Sequence, residues 1–168
     1  MLEHISIDRV RNLSRVSIDL YPGATALFGA NGSGKTSFLE AIHVLGVGRS
    51  FRTHQAKRVI QRGQDECRVV CRVRQQARSF VMGIEKHRDS SFRARIDGAN
   101  VASLSELARA MPLVLLDTDS LGLVTGPPEG RRRLLDGTLF HVEHAFLPLW
   151  RRYAQAMRQR NGGLRRGI

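Results

Sequence analysis

The chain has 168 residues and a formal net charge of +12, and 42% of its residues are hydrophobic. This length and composition suit a folded domain and exclude a disordered chain, a disulfide-stabilised miniprotein and a collagen-like fibre. No apolar run approaches the roughly 20 residues of a membrane-spanning helix, the first residues lack the apolar stretch of a secretory signal, and the two cysteines make no disulfide framework, so we expect a cytoplasmic protein without a membrane partner.

The first part of the chain predicts two strands, a third short strand and a helix. Residues 5–7 and 16–20 alternate apolar and polar side chains, as half-buried strands do. The apolar run at 24–28 predicts a short buried strand that leads into a glycine-rich loop. Residues 36–45 repeat apolar side chains at helical spacing, and Gly48 follows as an end signal.

The middle of the chain predicts an antiparallel meander. Residues 67–74, 80–84 and 92–96 alternate with a period of two, and Asp97-Gly98 is typical of a hairpin turn. One face of this sheet is apolar and the other is rich in arginine. Five arginines share that second face by period-two counting: Arg68, Arg72, Arg74, Arg93 and Arg95.

The last part of the chain predicts helices around one more strand. The sequence from Ser103 to Glu106 has the form of a capping box at the start of a helix, and Pro112 ends that helix. The apolar run at 113–116 predicts a buried strand. Pro127-Pro128 indicates the start of a second helix, and a third is expected over about 145–160.

The positive charge is unevenly distributed along the chain. Residues 1–48 hold four basic and four acidic residues, residues 49–95 hold 13 and four, and residues 96–168 hold 10 and seven. Of the 27 basic residues all but three are arginine, whose planar fork suits phosphate. The middle segment therefore favours nucleic-acid binding, although a solvated basic face in an arginine-rich composition explains the same pattern.

A phosphate-binding loop is the most specific motif in the sequence. It matches G-x-x-x-x-G-K-[ST] in full, between a predicted strand and an amphipathic helix. In such loops backbone N–H groups converge on phosphate oxygens, the lysine reaches the β- and γ-phosphates, and the hydroxyl binds Mg²⁺. We therefore expect ATP to bind at Gly29, Ala30, Asn31, Gly32, Ser33, Gly34, Lys35 and Thr36, with Thr36 holding Mg²⁺ through the nucleotide.

A carboxylate that could support ATP hydrolysis is harder to identify. The run 113–116 ends in Asp117, with Asp119 two residues later. This pattern fits the acidic strand of an ATPase core and equally fits a buried strand followed by an aspartate that begins a turn. The pattern alone does not choose between these interpretations, and we assign no catalytic residue.

Several short motifs together resemble the RecF family of bacterial recombination-repair proteins, which are similar to the ATPase heads of SMC and ABC-type proteins. These motifs are Arg11-Asn12, Pro22-Gly23, the loop 29–36, residues 39–42, Gly48-Arg49-Ser50-Phe51-Arg52, residues 96–98, Met111-Pro112, residues 132–136 and residues 159–161. The resemblance implies the N-terminal lobe of an α/β P-loop NTPase of the ABC/SMC-head type, with an antiparallel β meander and helices. It divides residues 1–168 into a nucleotide-binding part (1–48), a basic meander (49–101) and a helical part (102–168).

The resemblance also implies a function in recombinational repair and replication. It implies a protein that binds ATP, Mg²⁺ and single-stranded or gapped DNA, forms an ATP-dependent homodimer, and acts with RecO and RecR to load RecA and support SOS induction. Arg11 and Asn12 would contact the nucleotide side, and Asp119 with Ser120 would sense the γ-phosphate. Family members are about twice as long, so the chain looks truncated before the hydrolytic residues, and DNA-dependent ATPase activity is expected only with that second half.

Two other functions fit the phosphate loop. A small-molecule P-loop kinase would need acceptor-binding acids and a lid, and the basic meander suits neither. A DNA-binding fragment without ATP turnover fits the missing hydrolytic residues. A measurement of ATP binding distinguishes this DNA-binding fragment from an ATP-binding protein of the RecF kind.

Overall fold

The computed structural model describes residues 1–117, 120 and 122–165. The chain folds as two compact units, Met1–Leu115 and Leu116–Ile168. None of the described helices has the length and apolar composition to cross a bilayer. The predicted boundaries after residues 48 and 101 stay a prediction.

The first unit is built on a six-stranded antiparallel sheet. Its strands are β1 (Leu2–Val10), β2 (Leu13–Asp19), β3 (Glu66–Gln75), β4 (Arg78–His87), β5 (Phe92–Ile96) and β6 (Ala99–Asn100). They lie in the order β2-β1-β3-β4-β5-β6, so β3 from the middle of the chain pairs with β1 from its start. The Asp97-Gly98 turn joins β5 to β6 with both residues at positive φ, which confirms the predicted hairpin.

Three helices complete the first unit: α1 (Lys35–Val47), α2 (Ala56–Val59) and α3 (Leu104–Ala110). The apolar face of α1, which includes Phe38, Val44 and Leu45, packs on the inward side chains of β1, β3 and β4, and α3 adds Leu107. Each such fully buried side chain contributes about 1.5–3 kcal/mol. The capping box at α3 forms as predicted, with the backbone N–H of Ser103 donating to the Glu106 carboxylate over 3.0 Å.

The second unit consists of α4 (Gly122–Thr125), α5 (Pro128–Val142) and α6 (Phe146–Arg165). Pro128 opens α5 as the sequence predicts. The last helix continues five residues beyond the predicted end at 160, through Gly162 and Gly163. Trp150 Nε1 of α6 donates a 3.3 Å hydrogen bond to Asp136 of α5.

Two predicted strands are absent, and those predictions are wrong. Residues 24–28 and 113–116 have irregular backbone, and Phe28, Val114 and Leu116 are exposed. A strand needs a neighbour that takes up its backbone hydrogen bonds, and neither run pairs with another part of the described chain. An apolar run is therefore not sufficient evidence for a strand, because it does not identify the neighbouring strand that would take up its backbone hydrogen bonds.

Candidate nucleotide-binding site

The loop before α1 has the backbone conformation of a phosphate cradle. Gly29, Gly32 and Gly34 have φ of 149°, 83° and 103°, a region that residues with a Cβ rarely adopt. A Cβ at Gly34 would lie 2.5 Å from Leu13 Cδ2 in β2, so the Leu13 side chain would have to move to admit a larger residue. The backbone conformation favours glycine at all three positions, and the contact with Leu13 adds a steric constraint at Gly34.

Six of the eight predicted loop residues line one pocket of about 430 Å³, and Gly29 and Ala30 lie outside its wall. Asn31, Gly32, Ser33, Gly34, Lys35 and Thr36 all contribute to its wall. The Lys35 ammonium donates to the carbonyl oxygens of Gly29 and Ala30 over 2.7 and 2.9 Å. This arrangement gathers backbone donors, a cation and the exposed Thr36 hydroxyl, which is the donor set that a magnesium-bound triphosphate requires.

Asn12 ties the loop to the sheet and to α1. Its side-chain amide donates to the Gly32 carbonyl over 2.8 Å, and its oxygen accepts from the buried Ser37 hydroxyl over 2.7 Å. Asn12 and Ser37 both line the pocket. The structure thus places Asn12 beside the nucleotide pocket, as the resemblance implies, and adds Ser37, which the sequence analysis did not single out.

Arg11 faces a buried carboxylate and not the pocket wall. Its guanidinium donates twice to Glu40 of α1, over 2.9 and 2.7 Å. The Glu40 side chain is fully buried and also accepts from the Ser50 hydroxyl over 2.5 Å and from Arg52 over 3.5 Å. A direct contact between Arg11 and the nucleotide stays a prediction.

These contacts decide the charge of Glu40. Burial alone would raise the pKa of the Glu40 carboxyl, but hydrogen bonds from Arg11 and Ser50 and the charges of Arg11 and Arg52 together hold this pKa below its ordinary value. Glu40 is therefore an anion that holds the end of β1, helix α1 and the segment after α1 together.

Arg52 is a site residue that the sequence analysis missed. It lines the nucleotide pocket, and its backbone N–H donates to the Ser50 hydroxyl over 2.9 Å. The sequence signal for Arg52 is its place in Gly48-Arg49-Ser50-Phe51-Arg52. This motif supports the resemblance to the RecF family but assigns no role to Arg52. Its guanidinium adds a second cation to a pocket that already contains Lys35.

The arginine face of the sheet forms as predicted, but most of its charges are paired. Arg68, Arg72, Arg74, Arg93 and Arg95 are exposed, while Cys67, Val69, Cys71, Val73 and Ala94 on the opposite face are buried. Arg68 and Arg93 face Glu85 over 2.6 and 3.8 Å, Arg74 pairs with Glu3, and Arg95 donates to the Asn100 side chain. The face is less cationic than its arginine count suggests.

Asp117 makes a turn. Its carboxylate accepts from the backbone N–H of Ser120 over 3.0 Å, and its own N–H donates to the Ser120 hydroxyl over 2.9 Å. This arrangement agrees with the interpretation of Asp117 as the start of a turn. Asp119 lies outside the described residues.

The two cysteines are structural. Burial raises the pKa of the Cys67 thiol to about 11 and that of the Cys71 thiol to about 12, so both stay protonated at neutral pH.

Within the described chain, Glu66, Glu85 and His87 lie close enough to share a metal ion. Arg9 and Arg68 already pair with the two carboxylates over 2.9 and 2.6 Å, so this group is an ion-pair network.

Comparison with known proteins identifies the family. Residues 1–122 match the model of the RecF/RecN/SMC N-terminal domain. The chain belongs to this family. It is similar to the DNA replication and repair protein RecF of Stutzerimonas stutzeri, with 46% identity over 99% of this chain and 45% of that protein. RecF of Azotobacter vinelandii is 45% identical over 99% of this chain and 46% of its own length.

Solved structures confirm the fold of the RecF/RecN/SMC family. The recombination mediator RecF, described with ATPrS in the RecFOR pathway, superposes with a TM-score of 0.88 at 22% identity, over 99% of this chain and 45% of that one. An SMC ATPase superposes with a TM-score of 0.66 at 21% identity, over 82% and 98%. The predicted ABC/SMC-head lobe is thereby confirmed, and the chain spans about half the length of the curated relatives that it matches.

Proposed function

We propose that this chain is the ATP-binding N-terminal part of a RecF-type protein of DNA replication and repair. The observation that carries the proposal is the cradle of left-handed glycines with Lys35 and Thr36 at its rim. Its support from outside the site is the 46% identity to a RecF protein over nearly the whole chain. A small-molecule kinase is less well supported, since no observation in the pocket favours an acceptor substrate.

In this proposal the chain binds and orients ATP. The backbone N–H groups at the start of α1 and the Lys35 ammonium hold the phosphates, while Thr36 offers its hydroxyl to Mg²⁺. Mg²⁺ supplies charge neutralisation between the β- and γ-phosphates. Asn12, through Gly32 and Ser37, keeps the loop open toward the nucleotide. The remainder of a full-length RecF-type protein would supply the hydrolytic residues, and a second copy of that protein would complete an ATP-dependent homodimer.

The proposed partner of the nucleotide-bound protein is DNA. A positive charge of +12 favours contact with the phosphate backbone, which is independent of base sequence. We propose single-stranded or gapped DNA in the cytoplasm as the setting. RecO, RecR and RecA would be protein partners there, and RecA loading and SOS induction the outcome.

DNA binding by the 168-residue chain tests this proposal. We expect a labelled DNA of mixed sequence to bind at about 50 mM salt and to dissociate steeply as salt rises. Binding is measured by fluorescence anisotropy with and without ATP and Mg²⁺. Absence of binding at low salt, with and without ATP, would contradict the DNA-binding part of the proposal.

The arginine face is expected to contribute a minor share of this binding. Replacing Arg72, Arg74, Arg93 and Arg95 with glutamine should lower the dependence of log K on log salt by about one to two units, because paired arginines release fewer counterions than free ones. The salt series of the preceding experiment measures this slope. If the slope and the affinity stay unchanged, the arginine face does not contact DNA and is a solvated surface.

A further inference from the structure

A short segment after α1 concentrates free positive charge. Residues 48–64 contain no acidic residue and hold five basic ones. Three of these, Lys57, Arg58 and Arg62, are exposed, and their side chains make no ion pair or hydrogen bond to another described residue. They differ in this from most arginines of the sheet face, which face a carboxylate or an amide oxygen.

This segment is held rigidly by the sheet. Ala56 and Val59 of α2 are buried, so Lys57 and Arg58 between them point outward. The Val59 carbonyl accepts from the Arg11 N–H, and the Gln61 N–H donates to the Arg9 carbonyl, both over 2.8 Å. The segment that carries the three cations is therefore fixed in position. Its side chains lose less conformational freedom on binding than they would in a mobile loop.

This segment forms one wall of a groove beside the nucleotide pocket. Six cationic side chains line this groove: Arg11, Arg52, Lys57, Arg58, Arg62 and Arg88. Asn12, Ser37 and Arg52 line both the groove and the nucleotide pocket, so the two concavities adjoin. Three of the six cations pair with carboxylates: Arg11 and Arg52 with Glu40, and Arg88 with Asp65 over 3.9 Å.

The lining of the groove selects its occupant. Protein interfaces have an apolar or aromatic centre, but among the described residues the only apolar side chain that lines this groove is Ile60, which is buried. Sites that hold unpaired bases use aromatic platforms, and no aromatic side chain lines the groove. A row of cations without either feature is suited to a continuous chain of phosphates.

We propose that the groove formed by Arg52, Lys57, Arg58, Arg62 and Arg88 binds the sugar–phosphate backbone of DNA and is the main DNA contact of this chain. This inference rests on the proposed function, because it locates the DNA that the function requires. It places DNA next to the nucleotide pocket and assigns the smaller share of the affinity to the arginine face. It gives a role to Lys57, Arg58 and Arg62.

The test compares two variants of equal charge change. Replacing Lys57, Arg58 and Arg62 with glutamine should weaken binding of a labelled 20-base-pair duplex by about tenfold or more near 0.1 M salt and lower the salt slope by about two to three units. The control replaces Arg151, Arg152 and Arg158 of α6 with glutamine, and its affinity should stay within about twofold of the unvaried chain. The substituted groove side chains are exposed, so both variants should keep the circular dichroism spectrum and the ATP affinity of the unvaried chain.

Three outcomes would overturn the inference. The groove variant could keep the slope of the unvaried chain, or the control could lose as much affinity as the groove variant, which would show a general charge effect. Polyglutamate could displace the duplex as well as unlabelled DNA of equal charge does, which would indicate an acidic protein partner. If the unvaried chain binds neither the duplex nor single-stranded or gapped DNA, the proposed function itself fails, and this result is distinct from the other three.

Discussion

Replacing Lys35 with alanine is expected to abolish detectable ATP binding by this chain and to leave its fold intact. The Lys35 ammonium contacts only two loop carbonyls in the structure, so its loss costs little stability. In the nucleotide complex it would be the main point charge on the β- and γ-phosphates. Loss of a charge-assisted contact of this kind costs about 1.5–3 kcal/mol, or more than tenfold in affinity.

Equilibrium titration with a fluorescent ATP analogue measures this effect. The control is Arg152→Ala, an exposed cation on α6 that should bind as the unvaried chain does. Circular dichroism and thermal unfolding should agree among the three proteins. We also expect little ATP hydrolysis by the 168-residue chain. If Lys35→Ala binds within about threefold of the unvaried chain, the loop is not the nucleotide site.

Replacing Glu40 with alanine is expected to destabilise the first unit by about 3 kcal/mol, the lower end for breaking a buried ion pair, because it leaves the half-buried Arg11 guanidinium without its anion. Arg11 would lose both of its hydrogen bonds to Glu40, and Ser50 would lose its acceptor. Glu129→Ala is the control, since Glu129 is exposed on α5 and meets Arg132 only over 4.0 Å. Urea unfolding at pH 7 should show a change of at most about 0.5 kcal/mol for the control.

The acid dependence of stability provides a second measure of Glu40. Its pKa is lower in the folded chain than in the unfolded one, so its charge contributes stability above the ordinary value near 4.5. That contribution is lost as the pH falls through the lower folded-state pKa. Glu40→Gln should therefore be less stable at pH 7 and should lack this part of the acid-induced loss. Equal stability of Glu40→Ala and the unvaried chain at pH 7 would contradict the account of Glu40.

The sequence predicts those parts of the fold that local patterns determine. The phosphate loop, the helix after it, the capping box at Ser103 and the hairpin at Asp97-Gly98 all lie within a few residues of the signals that specify them. The period of two in β3 and β4 separates buried from exposed side chains correctly, since one face of that sheet meets α1. The motif alone predicts six residues, Asn31 to Thr36, that line one pocket in the structure.

The features that the sequence does not predict depend on distant partners. In the sequence, Glu40 looks like any other glutamate on a helix. Its role follows from the fold, which brings Arg11 and Arg52 to it from two other segments. The free cations of α2 line a groove beside the nucleotide pocket because backbone hydrogen bonds from Arg11 to Val59 and from Gln61 to Arg9 hold the α2 segment in place. The runs 24–28 and 113–116 are apolar enough for strands but have no partner within the described chain.

A ¹H–¹⁵N correlation spectrum recorded during titration with ATP and Mg²⁺ tests the central claim most directly. The claim is that the loop 29–36 holds the triphosphate through its backbone amides. It predicts that the largest shifts fall on the amides of Gly32, Ser33, Gly34, Lys35 and Thr36, with those of α5 and α6 unmoved. An unchanged spectrum, or largest shifts outside the loop and its pocket, would contradict the claim.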